Sequence, residues 1–192
     1  LLLIAIRFTG SFLVVGPVLA MMGRKWWKAA APGAVLGLFL AVGYSLQTLG
    51  LQYTTAARSA FVTYLFAVLV PPLQRILADR RLSLGNVVGL GIVLMGTAVL
   101  TRPWQVGGWN RGDLLTLGSA VAFALFIVLV DPFSRRQDPI LFVPTEFAVG
   151  GAVAALAAWV AHAAGLEPLR LEPAPELIFA AAFLALIGTV GA

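Results

Sequence analysis

Long apolar stretches alternate along this chain with short polar connections. Seven segments, about 1–22, 33–54, 58–78, 84–101, 113–131, 139–161 and 176–192, are mostly apolar. Each is close to the roughly 17 to 25 residues that a bilayer-crossing helix needs. LLTLGSAVAFALFIVLV is the strongest of these runs. The segment 58–78 is the weakest, because Pro71-Pro72 removes two backbone donors and should kink it. Strands of a membrane barrel would alternate over about ten residues, and these runs do not alternate. The pattern predicts an all-α chain, a polytopic transmembrane helical bundle of about seven spans.

The connections GRKWWK, ADRRLS, TRPWQVGGWNRGD, SRRQDP and GLEPLRLEPAPE carry most of the charge. One side of the membrane collects Arg24, Lys25, Lys28, Arg75, Arg80, Arg81, Arg135 and Arg136. The other collects Arg58, Arg102, Arg111 and Arg170, with Arg7 as a further candidate. The excess places the first group in the cytoplasm. Trp26, Trp27, Trp104 and Trp109 fall at span ends, where amphipathic rings suit the headgroup level.

Composition narrows the classes. Charged residues make up 11% and hydrophobic ones 60% of 192 residues, whereas a soluble domain carries about 25% charged. The net charge of +5 comes from the loop clusters, and no aromatic-interleaved basic patch favours nucleic acid. Cysteine is absent, which excludes disulfides and thiolate metal sites. The opening run contains Arg7, lacks a basic leader and is not a signal peptide. Both ends read as cut. Small residues form stripes suited to close helix packing in lipid: Gly85, Gly89 and Gly96 on one span, and Gly150, Ala154, Ala157 and Ala161 on another.

The segment GYSLQTLGLQYTT, residues 43–55, breaks the apolar pattern. On a helix, Tyr44, Ser45, Gln47, Thr48, Gln52 and Thr55 fall within an arc of roughly 160°, opposite Leu46, Leu49 and Gly50. Lipid satisfies none of these amides and hydroxyls, so they face other helices or a wet cavity. Two readings follow: helix-to-helix hydrogen bonding without a ligand, or the wall of a solute path.

LQTLGLQYTTAARSAFVTYLFAVLVPPLQRIL, then RRLSLGNVVGLGIVLMGTAVLT and GDLLTLGSAVAFALFIVLVDPFSRR, strongly resemble the EamA branch of the drug/metabolite transporter superfamily. Gln47 to Thr55 with Ala57, Phe61 and Pro71 is the most specific portion. The resemblance implies ten helices in two five-helix halves of opposite orientation around a central solute pathway. This chain is similar to helices two through eight. Residues 1–110 would be most of the first repeat and 111–192 the start of the second. Asp79-Arg80 stands where many relatives carry Gly-Glu. Laying AIRFTGSFLVVG on PTEFAVGGAVAA puts Phe8 on Phe147, and FLAVGYS on LALIGTV puts Gly43 on Gly188. Each pair is separated by an odd number of spans, the arithmetic of an inverted repeat with alternating access.

Glu146 is the most informative single residue. It lies about seven positions into the sixth span, on the stripe of Gly150 and Ala154. A carboxylate there costs about 2.5–3.5 kcal/mol on insertion scales, so it is expected to face protein or water and is the proton-coupling candidate. The bland alternative is that it reaches the interface or pairs structurally. Arg7 occupies the pseudo-equivalent position, and the reversed orientation is expected to set it on the other side of the membrane from Glu146, snorkelling outward. Thr63, Tyr64 and Ser119 are further candidates for the path, with helix packing as the alternative role.

No phosphate loop, nucleophile elbow or paired-carboxylate motif is present, and His162 is the single histidine. Neither an enzyme nor a cofactor is expected. The reading is a secondary transporter in the inner or plasma membrane that moves a small organic metabolite or drug. Outward direction and solute class are what the resemblance implies. Two alternatives remain: a nucleotide-sugar or sugar-phosphate exchanger, which would need cations deep in the cavity, and a non-transporting membrane subunit, in which helix partners seal the polar stripe.

Overall fold

The computed structural model describes residues 1–17, 26–77, 83–102, 104 and 108–165. Among these, every regular element is helical: α1 (Leu2–Val15), α2 (Trp26–Gly50), α3 (Ala56–Tyr64), α4 (Phe66–Leu77), α5 (Leu84–Thr101), α6 (Arg111–Arg136) and α7 (Pro139–Ala163). Five stretches are long and apolar enough to cross a bilayer: Ala30–Gly50, Ala56–Leu77, Leu84–Thr101, Arg111–Arg136 and Pro139–Ala163. The chain is a multi-pass membrane protein built as a helical bundle. The seventh expected span, the Gly188 alignment, Asp79-Arg80 and the basic residues at 24, 25, 80, 81 and 170 lie outside the described residues.

Helix starts follow local chemistry. Thr55 caps α3 by accepting from the Arg58 N–H at 3.3 Å. Ser83 caps α5 through the Gly85 N–H, and Asp138 caps α7 through that of Ile140. α6 opens with a reciprocal box: Asn110 N–H donates to Asp113 Oδ2 at 2.9 Å, and Asp113 N–H to Asn110 Oδ1 at 3.0 Å. Each device satisfies donors that a helix N-terminus leaves unpaired.

The third span corrects one expectation. Its interruption falls at Leu65, between α3 and α4, and Pro71-Pro72 lie inside α4. Leu65 keeps a helical conformation but its N–H turns to the Val62 and Thr63 carbonyls, so the ladder shifts there.

The chain divides into two compact units, residues 1–42 with 133–192, and residues 43–132. In the first, α1 packs along α7. Phe8, fully buried, meets Phe147 at 6.3 Å between ring centroids. It also lies beside Gly150, and Thr9 lies beside Gly151. Gly150, Ala154 and Ala161 of the expected stripe are buried, with Ala158 in place of the half-buried Ala157, so this face of α7 is a packing seam. α2 joins it where Gly33 and Gly37 face the α7 backbone around Phe142, Thr145 and Glu146. Any side chain on Gly37 would collide with the Glu146 carbonyl.

In the second unit, the end of α2 packs on the start of α6, and α3 packs on α5. α5 has no buried residue, and a side chain on Gly89 or Gly96 would meet nothing from another element within 4 Å among the described residues. Apolar on every face, this helix is suited to lipid.

Candidate functional site

Three close approaches fix the register of α2 against α6. Gly43 sits on the Phe123 ring, Gly118 lies beside Leu46, and Gly50 meets the Gly112 carbonyl and Thr116 hydroxyl. A Cβ on Gly50 would come within 2.7 Å of Thr116 Oγ1, and one on Gly112 within 2.5 Å of the Gly50 carbonyl. Only glycine permits this backbone contact. As α2 residue numbers fall, the α6 numbers they meet rise. The helices are antiparallel, and Ser45 and Ser119 fall at the same level.

The polar arc of α2 is placed by this packing. Tyr44 is half-buried with its ring edge-on to Phe123, 5.0 Å between centroids. Gln47 reaches α3, where its Nε2 donates to Thr63 Oγ1 at 3.0 Å. Thr48 is half-buried. Ser45 and Ser119 are both buried, and their hydroxyls have no hydrogen-bond partner among the described residues. Tyr64 is 46% exposed and stacks on Phe66 across the break in the span. The structure thus gathers Tyr44, Gln47 and Thr63, with Ser119 on the facing helix, and leaves Tyr64 outside that group. Gln52 and Thr55, from the same arc, are exposed in the turn after α2.

Toward that turn lies a cluster whose members stand far apart in the sequence. Asp113, 0% exposed, accepts from Arg58 Nη2 at 2.9 Å, from Thr54 Oγ1 at 3.1 Å and from the Asn110 N–H. The Arg58 guanidinium, 8% exposed, also donates to the Gly108 carbonyl at 3.3 Å. Ser59 and Thr116 hydroxyls meet at 3.3 Å just inside, and Thr116 donates to the Gly112 carbonyl. The carboxylate has three donors and the cation at least two acceptors, which is what a buried ion pair needs to offset desolvation. The Asn110-x-x-Asp113 spacing was the available signal, since it is a capping box at the head of an apolar run.

Glu146 belongs to the other unit. It is 6% exposed on α7, with its own carbonyl against Gly37 of α2. No hydrogen bond or ion pair reaches its carboxylate among the described residues, and none joins it to Arg7. Pro144, two residues earlier, removes a backbone donor and leaves the Ile140 carbonyl without its helix partner. The Phe8–Phe147 contact sets Arg7 and Glu146 at about the same level of the helix pair. This corrects the expectation that they lie on opposite sides. The error came from assuming equal offsets from each span end, whereas α1 meets α7 near mid-helix.

Comparison with known proteins gives a consistent picture. An uncharacterized transporter of Archaeoglobus fulgidus is 31% identical over 107 residues, which are 56% of this chain and 34% of that protein. The uncharacterized transporter YvbV of Bacillus subtilis is 29% identical over 128 residues, 66% of this chain and 41% of its own length. A second Archaeoglobus transporter is 23% identical over 147 residues, covering 76% of this chain and 52% of itself. The chain therefore spans between about a third and a half of the curated relatives it matches. No solved structure matches. Family and relatives point to transport rather than catalysis. The model of the EamA-like transporter family matches residues 1–102, more than half of the chain, and the chain belongs to that family.

Proposed function

We propose that this chain is part of a secondary transporter in the inner or plasma membrane, with its arginine-rich loops cytoplasmic, that exports a small organic metabolite or drug. The observation that carries the reading is a pair of buried hydroxyls, Ser45 and Ser119, at one level of two packed membrane helices and without a partner among the described residues. In a hydrocarbon surrounding, such groups call for water or a ligand. Tyr44, Gln47, Thr48 and Thr63 would complete the wall. Glu146 would carry the coupling proton, since a buried carboxylate that forms no ion pair among the described residues is the kind of group that gains and loses one as water reaches it. Contact between Phe8 and Phe147, matched by the internal alignment, supports an inverted repeat whose two-fold passes between α1 and α7.

One observation favours the second reading, a membrane subunit that transports nothing: the Gln47 amide is already bonded to Thr63, as a sealed helix seam would have it. The exchanger of phosphorylated or nucleotide sugars is disfavoured, because Arg58 is neutralised by Asp113.

The experiment is solute counterflow into liposomes holding the complete protein, across a broad metabolite panel. Replacing Gln47 and Thr48 together by Leu should abolish flux while membrane insertion is retained. Unchanged flux would remove the wall. For the coupling role, Glu146→Gln should flatten the pH dependence of flux, and a wild-type pH response would remove Glu146 from that role.

A further inference from the structure

The Arg58–Asp113 cluster has no part in the solute wall described above, yet its carboxylate accepts from a guanidinium, a hydroxyl and a backbone N–H. Its members come from both sides of one boundary. Thr54 follows α2 and Arg58 lies in the first turns of α3, within the segment 1–110 that reads as the first repeat. Asp113 and Thr116 lie in the first turns of α6, where the second repeat begins. All of them stand at the ends of their spans away from the connections that hold Arg75, Arg80, Arg81, Arg135 and Arg136. The backbones of Gly50 and Gly112 touch at the same place.

We infer that the Arg58–Asp113 ion pair, with Thr54 and Asn110 around the carboxylate, is the latch that closes one mouth of the solute path. The inference rests on the transporter reading, because only a protein that alternates its access has a mouth to close. Three features argue for a latch rather than a permanent rivet. The pair crosses the boundary between repeats, which is where alternating access requires movement. It lies within the first turns of its helices, so separation admits water that rehydrates both charges at once. Its contacts are ionic and hydroxylic, a class of interaction that conformational switching between domains breaks and remakes. The Ser45 and Ser119 level lies immediately behind it along α2 and α6, so that opening the pair exposes the unpartnered hydroxyls.

The test uses the complete protein in sealed vesicles, with Ser119→Cys as a buried reporter. The chain contains no cysteine, and any outside it is replaced by serine. A membrane-impermeant maleimide is offered from one side at a time. With the pair intact, labelling from the side bearing residues 51–55 should be slow. Asp113→Asn, which keeps the shape and one acceptor, should raise that rate about tenfold, within the range of coupling between conformational states. Arg58→Gln should do the same, and Arg58→Lys, which keeps the charge, should raise it less. The rate from the opposite side should stay level or fall. Equal rates in all variants would overturn the latch, and so would acceleration from both sides, which is general loosening. Should Asp113→Asn fail to insert, the Arg58 pair of variants carries the same readout. A counterflow screen in which no solute moves would remove the transporter reading and leave the labelling result standing.

Discussion

Among the described residues two carboxylates are buried, Asp113 and Glu146, and the protein treats them in opposite ways. Asp113 is enclosed by a guanidinium, a hydroxyl and a backbone N–H, with an arginine that is itself bonded on a second side. Glu146 is buried, with its backbone against Gly33 and Gly37 of α2 and no hydrogen bond or ion pair to its carboxylate among the described residues. A buried charge with a full shell of partners stabilises the state in which that shell is closed, and removing one partner destabilises that state. A buried ionisable group without one adds little to stability and is free to exchange a proton or meet a ligand. Burial alone does not separate the two. The count of donors does.

The largest effect should therefore come from stripping one member of the pair. Asp113→Ala leaves the Arg58 cation buried and also removes a helix cap, so unfolding in detergent should show a loss of about 3–5 kcal/mol. Replacing both residues by Leu should recover much of that loss, since most of it is the penalty of an unpaired charge. A double variant no better than the single would mean that the capping box, rather than the ion pair, is what matters. Next comes the backbone contact beside Glu146. Gly37→Leu forces α2 away from α7 and should cost about 1–3 kcal/mol in the same assay. Third is the hydrogen bond between the path helices. Gln47→Leu should cost only about 0.6 kcal/mol, the average for such bonds in a membrane, whatever it does to flux.

Much of this was legible beforehand, for identifiable reasons. Span positions were readable because a bilayer demands a run of apolar residues of fixed length, and α5 was placed at its exact bounds, 84–101. The caps at Thr55, Ser83 and Asp138 are local chemistry, but taking residues 43–55 as one helix puts Thr55 in the arc of α2 instead of at the head of α3. The break in the third span was misplaced because proline was the visible disruptor, whereas the ladder shifts at Leu65, a residue with no intrinsic reason to do so. The pairing of Arg58 with Asp113 was hidden because 55 positions separate them along the chain. The sequence marks Arg58 only as one charge in the orientation count and gives Asp113 no role. Tyr64 was grouped with Thr63 by adjacency, yet one residue is a rotation of about 100° on a helix, which is enough to take it from the seam to the outside.

The smallest stability effect is the one that bears hardest on the contrast. Glu146→Gln removes an ionisable group that no described residue supports. Its stability should change little, or rise slightly, because the neutral amide is cheaper to bury than a carboxylate and no cation is abandoned by the exchange. Asp113→Asn, chemically the same substitution, should be clearly destabilising, because it leaves Arg58 uncompensated. Measured side by side in one unfolding assay, the two variants ask whether donors or depth decide what a membrane carboxylate is for. A loss at Glu146 as large as that at Asp113 would mean that α7 holds a partner for it in the rest of the protein, and would return Glu146 to a structural role. A neutral result, together with a flattened pH response of flux, would leave the coupling proton as its use.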